Sequence, residues 1–168
     1  QTVLISYDNG TWRDHGSSGS LPVLGLALRS AGGVWAGCPN GLFAVENSIW
    51  TDQGWPGGFC YKAAESPDGS LWACGIGGVA QRVGGNWQLY NISRTGLNDY
   101  WNYGIDFDSR CNAWFSNGYG IAMFDGAVWR NFNRYGGTQP WPWPTDIVNA
   151  TVEGLDGRMW VATYASGV

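Results

Sequence analysis

The chain has 168 residues, a net charge of -4, 13% charged and 15% aromatic residues, with 27 Gly and 12 Trp. That is too much glycine for a mostly helical protein and too many aromatics for a disordered one, so the composition points to strands joined by tight turns. Nine basic residues are spread along the chain without a cluster, which argues against duplex nucleic acid and against a cationic single-strand groove, and no apolar run approaches the roughly 18–20 residues of a membrane helix.

Taken in chain order, Val3 to Trp12 reads as the second half of a repeated unit. The polar loop RDHGSSGS follows, with His15, the single histidine of the chain. A lone loop histidine reads as solvated, and without a second one the Ser-His-Asp and metal constellations are out. The first complete unit covers 22–52: a turn at Ala31-Gly32-Gly33, then Val34-Trp35, Gly41-Leu42 and Trp50. The loop TDQGWPGG after it carries Trp55. The second unit, 58–90, repeats the order with Pro67-Asp68-Gly69, Leu71-Trp72, Gly78-Val79 and Trp87. The loop NISRTGLNDYWNY then brings Asp99, Tyr100 and Trp101. The third unit, 102–133, predicts strands at Tyr103–Asp108, Ala113–Ser116, Gly120–Phe124 and Val128–Phe132. Its turn is Ser109-Arg110-Cys111 where Asp-Gly is expected, which loosens the turn and leaves the fold, and Tyr119 sits between its second and third strands. The loop NRYGGTQPWPWPT supplies Arg134, Tyr135, Trp141 and Trp143, and 146–168 reads as the first half of a further unit around Asp156-Gly157 and Met159-Trp160.

In all three complete units the two tryptophans are 15 positions apart (Trp35 to Trp50, Trp72 to Trp87, Trp114 to Trp129), and a glycine lies six after the first (Gly41, Gly78, Gly120). A period of about 40 residues with four short strands per unit is the mark of a repeat architecture. Asp-Gly between strand-like residues is a hairpin signal, and no window has helical spacing of apolar residues over three turns. Each unit is an antiparallel meander that cannot cover its own faces, and stacking such sheets around an axis makes a β-propeller. The expected fold is therefore an all-β propeller of four four-stranded blades, at 22–52, 58–90, 102–133, and 146–168 plus 3–13, the last split between the two termini.

SPDGSLWACGIGGVAQRVGGNW and GLDGRMWVATYASGV, with the lead-ins GSLPVLGLAL and TGLNDYWNYGIDF, resemble the propeller repeats found in sensor regions of two-component regulators. The resemblance covers essentially the whole chain and implies architecture more than activity, because similar blade patterns occur in some lyases and lectins. The split unit leaves two readings: a small ring closed by its own ends, or part of an array of roughly six to eight blades completed by further sequence or a second copy. The imperfect join favours the second.

The eight regularly spaced tryptophans are expected in blade cores. Four are left over: Trp55, Trp101, Trp141 and Trp143, all in loops between blades. With Tyr100, Tyr119, Tyr135, Asp99 and Arg134 they form the candidate ligand-binding set, gathered on one face of the ring. Flat rings beside charged groups suit a sugar, whose C–H face stacks and whose hydroxyls hydrogen-bond, and they suit a protein partner too. Packing onto the rim is the competing role for Trp101, Trp141 and Trp143. Tyr103, at a strand start, is expected in the core. Four cysteines (Cys38, Cys60, Cys74, Cys111) without a Cys-x-x-Cys pair or a nearby histidine argue against zinc. Buried thiols are expected, with a Cys60–Cys74 disulfide left open. No metal, cofactor or catalytic residue is assigned. Glu65 and Asp106 lie on first strands, but no paired-acid motif stands out. A single lysine (Lys62), many Trp and Gly, and the triplets at Asn9, Asn91 and Asn149 lean toward an extracytoplasmic setting, periplasmic or secreted. The start at Gln1 is expected to mark a processed or excised chain. The expected function is a binding or sensing module for a glycan or small molecule. The alternatives are an assembly or protein-interaction subunit and, less favoured, a polysaccharide lyase or hydrolase.

Overall fold

The computed structural model describes residues 4–19, 21–95, 97, 100–133 and 147–164. It is all-β apart from one helical turn, α1 (Ile92–Thr95). Three four-stranded antiparallel meanders follow each other. They are β3 (Gly25–Leu28), β4 (Val34–Cys38), β5 (Gly41–Glu46) and β6 (Ile49–Asp52); β7 (Cys60–Glu65), β8 (Leu71–Gly75), β9 (Gly78–Val83) and β10 (Asn86–Tyr90); and β11 (Asn102–Phe107), β12 (Ala113–Asn117), β13 (Gly120–Phe124) and β14 (Trp129–Phe132). Before them stands the hairpin of β1 (Ile5–Asp8) and β2 (Thr11–Asp14), and after them that of β15 (Val148–Glu153) and β16 (Met159–Thr163). The first strands β3, β7, β11 and β15 touch in series, so the sheets pack as consecutive propeller blades.

The repeated residues have physical reasons. Gly78 and Gly120 open the third strands of blades 2 and 3 with φ of +137° and +122°. A side chain there would run into the carbonyl oxygen of Tyr90 or Phe132 on the fourth strand. Only glycine suits both demands. The first-series tryptophans Trp35 and Trp72 are buried at the junction with the next blade, in clusters with Cys60, Ala63 and Leu71 or with Ile105, Ala113 and Phe115. The second series clamps backward: the Trp50 indole donates to the His15 carbonyl oxygen (2.6 Å) and the Trp87 indole to that of Gln53 (2.7 Å), each just past the last strand of the preceding sheet. Leu97, from the TGLN lead-in, plugs the junction of blades 2 and 3.

Among the described residues, β1–β2 and β15–β16 are separate two-stranded sheets at the two ends of the row. Two expectations are corrected. Trp12 and Trp160 stand 66% and 61% exposed instead of in a core, because the strands that bury their counterparts are not beside them. His15 is also not simply solvated. Its ring bridges the Ser6 hydroxyl (2.8 Å) and the Ser48 hydroxyl (3.0 Å), fastening the first hairpin to blade 1.

Candidate functional site

Of the nine candidate residues, Asp99, Arg134, Tyr135, Trp141 and Trp143 lie outside the described residues. Of the other four, three come together. The segment leading into β11 lies along the loops of two blades. The Gly77 N–H donates to the Tyr100 carbonyl oxygen (2.9 Å), Trp101 makes an antiparallel bridge with Ile76, and the Gly118 N–H donates to the Trp101 carbonyl oxygen (3.4 Å). Gly118 and Tyr119 form the β12–β13 turn, closed by the Tyr119 N–H donating to Asn117 Oδ1 (3.0 Å). Backbone hydrogen bonds thus hold Tyr100, Trp101 and Tyr119 on one lip of blades 2 and 3, with 52%, 46% and 54% of their surface in solvent. Backbone fixed in this way reduces the ordering cost of stacking these rings against a ligand.

Trp55 does not belong to this set. It is buried between blades 1 and 2, edge-on to Trp87 with ring centroids 5.9 Å apart. The absence of a side chain at Gly57 makes room for its ring: a Cβ there would come within 2.8 Å of it. Its burial in this cluster gives Trp55 a packing place, with the indole nitrogen unpartnered among the described residues. Tyr103, expected in the core, is only half-buried, its ring 5.7 Å from that of Tyr61 on β7. Phe59, 6.4 Å from Tyr61 and partly exposed, extends this aromatic row. Sequence reasoning missed Phe59 and Tyr61, because a tyrosine inside a strand pattern carries no sign of the face it takes.

The acidic side chains serve the junctions. Glu65, at the end of β7, accepts from the Trp35 indole (2.9 Å) and the Ser30 N–H (3.0 Å) of blade 1. Burial pushes its carboxyl up, but these bonds and Arg29 outweigh it and hold it below its ordinary value. Glu153 repeats the contact two junctions later, accepting from the Ser109 N–H (2.7 Å) and hydroxyl (3.0 Å). Asp106 caps the N–H of Phe107 next to it (2.9 Å). All four cysteines are reduced. Cys38, Cys60 and Cys74 are buried, and burial raises the Cys60 thiol far above its ordinary value and Cys74 to about 12, so both stay protonated. Cys111 is exposed in the third-blade turn, in the left-handed conformation (φ +64°) that glycine takes in the others. No group of three or more His, Cys, Asp or Glu that could hold a metal occurs among the described residues. None of their helices is long and apolar enough to cross a membrane.

No family model and no curated protein matches the chain. Solved structures do. Virginiamycin B lyase from Staphylococcus aureus superposes with a TM-score of 0.73 at 17% identity, over 92% of this chain and 53% of the lyase. The extracellular domain of a B. thetaiotaomicron protein described as a hybrid two-component system gives 0.71 at 14%, over 96% of this chain and 26% of that one. That of a protein described as a one-component system from the same organism gives 0.74 at 14%, over 95% and 22%. The chain therefore spans about half of the lyase and about a quarter of the two extracellular domains. At these identities the likeness establishes the fold: an all-β chain of propeller blades.

Proposed function

We propose that the chain is an extracytoplasmic binding or sensing module that holds a glycan or oligosaccharide against Tyr100, Trp101 and Tyr119. The observation that carries this reading is the lip itself: Tyr100, Trp101 and Tyr119, each about half in solvent, on a stretch of backbone that hydrogen bonds tie to the loops of two blades. About half the surface of each residue stays in solvent, and a stacked sugar face would cover it. Two of the superposing structures are extracellular domains of regulator proteins, which supports both the sensing role and the location. Asp99 and Arg134 are the polar partners proposed for the sugar hydroxyls. Trp101→Ala is expected to weaken oligosaccharide binding about tenfold or more, about 1.4 kcal/mol. Tyr119→Ala is expected to do the same, and both variants should melt within a few degrees of the parent. Titration calorimetry and thermal melting read the two effects.

A second reading, an assembly role, has its own observation. Position for position, Leu26 of β3 corresponds to Ala63 of β7 and Ile105 of β11. The latter two are buried against the preceding sheet, while Leu26 is half exposed beside a cavity of about 270 Å3 lined also by Leu4, Ile5 and Val34. Trp160 and Val152 are bare where Trp72 and Ala64 are covered. Both are faces that other blades bury, so further propeller strands, from a longer ring or a second copy, would cover them. Light scattering on a size-exclusion column tests the second-copy form. A mass of two or more 18.3 kDa chains supports it, and a monomer at every concentration tested excludes it.

A further inference from the structure

The inner strands carry a repeated irregularity. The ladder with the second strand shifts register between Cys60 and Lys62 in β7, between Asn102 and Gly104 in β11, and between Val148 and Ala150 in β15. The extra residues are Tyr61, Tyr103 and Asn149. A bulge takes its residue out of the alternation and re-aims it, and here the re-aimed rings of Tyr61 and Tyr103 meet across the junction of blades 2 and 3. The residue after the bulge is small in β11 (Gly104) and in β15 (Ala150), with Gly25 at the matching place in β3. The reason is close approach. A side chain at Gly25 would run into the Tyr61 carbonyl oxygen, and one at Gly104 would come within 3.4 Å of the Asn149 carbonyl oxygen.

In blade 2 this position holds Lys62, the single lysine of the chain. It is half-buried, and no carboxylate forms an ion pair with it among the described residues, whose four ion pairs all use arginine. Its charge is felt at the Cys74 thiol across the ladder, a neutral neighbour that does not balance it. Blade packing does not call for a long cation where its three counterparts are glycine or alanine. Such departures from local consistency mark functional positions. Lys62 flanks Tyr61, whose ring lies 5.7 Å from that of Tyr103, and Tyr103 follows the lip residues Tyr100 and Trp101 by three and two positions.

We infer that Lys62, with Tyr61 and Tyr103, forms a subsite for the carboxylate of an acidic sugar, so that the glycan held at the lip contains uronic acid. This inference rests on the proposed glycan reading and narrows it. The sugar ring stacks on the aromatic row while its carboxylate supplies the counter-charge to Lys62 through a charge-assisted hydrogen bond.

The test is titration of the chain with oligogalacturonides and with their methyl esters, which keep the rings and remove the charge, alongside a panel of neutral oligosaccharides. The expected result is binding of an acidic oligosaccharide that is tenfold or more weaker for its methyl ester, weakened as much by Lys62→Met, and largely kept by Lys62→Arg. Lys62→Met should melt like the parent. The ester comparison uses the unaltered protein, so it decides even if that variant folds poorly. Equal binding of acid and ester, or binding of neutral oligosaccharides alone that Trp101→Ala abolishes, would overturn the acidic subsite and leave the glycan reading standing. Absence of binding to either class would overturn both.

Discussion

Trp72→Ala is expected to cost about 3–5 kcal/mol of stability, the range for deleting a large aromatic from a core. The residue is buried and stands at the centre of an aromatic cluster. Its ring is stacked 5.7 Å from Tyr90 of its own blade and lies 5.7 Å from Phe115 and 5.9 Å from Phe124 of the next. The neighbours are held by their own sheets and cannot all collapse into the space left, so the cavity penalty adds to the lost burial. The same substitution at Trp12, exposed on the first hairpin at the position that Trp50 and Trp87 take in complete blades, is expected to cost under about 1 kcal/mol. Its ring makes one aromatic contact, with Tyr7 at 4.9 Å. Urea titrations of the two variants check the contrast, and equal losses would mean that the first hairpin is packed as a full blade.

Asp108→Ala is expected to have the second largest effect, about 2–4 kcal/mol. The Asp108 carboxylate is buried and takes over the tight turn where the third blade lacks Asp-Gly. It accepts from the backbone N–H of Arg110 (3.0 Å) and Asn112 (2.9 Å), from the Asn112 side-chain amide (2.7 Å), and from the Trp114 indole (3.0 Å). Alanine would leave these donors without their acceptor. Burial pushes the carboxyl up, but the donors, led by Trp114 and Asn112, outweigh it and hold it below its ordinary 3.8. Because the folded-state value lies below the unfolded one, this stabilisation is complete above the ordinary carboxylate range. It is lost as the pH falls through the lowered value. Glu65, Asp68 and Asp125 shift in the same direction. The parent should therefore lose stability steeply on acidification below about pH 4, and Asp108→Ala should show a shallower loss. Melting temperatures from pH 7 to pH 2 read both slopes.

The blades were legible because their rules are local. The predicted third-blade strands, 103–108, 113–116, 120–124 and 128–132, end within a residue or so of those formed. The Trp-to-Gly spacing that revealed the repeat reflects a backbone conformation at Gly78 and Gly120 that other residues do not adopt. What was not legible depends on neighbours. The burial of Trp55 follows from a glycine two residues on and an indole on another strand, and the exposure of Trp12 and Trp160 from which sheet lies alongside. The bulges that re-aim Tyr61 and Tyr103 leave no local signal, since a strand with one extra residue reads like any other. The Arg110-Cys111 departure was read as a loosened turn, yet Asp108, two residues earlier, closes it with four hydrogen bonds. For the candidate site, residue type named Tyr100, Trp101 and Tyr119, and the contacts with Ile76, Gly77 and Gly118 explain why these three share a lip.

The measurement that bears most directly on this account is oligosaccharide binding by the parent chain, Trp101→Ala and Trp12→Ala, side by side in one titration series. Trp101 and Trp12 are both exposed, but only Trp101 lies on the lip. The account predicts at least one oligosaccharide bound by the parent, weakened tenfold or more by Trp101→Ala and bound unchanged by Trp12→Ala. Binding unaffected by Trp101→Ala, or no oligosaccharide bound at all, would contradict it.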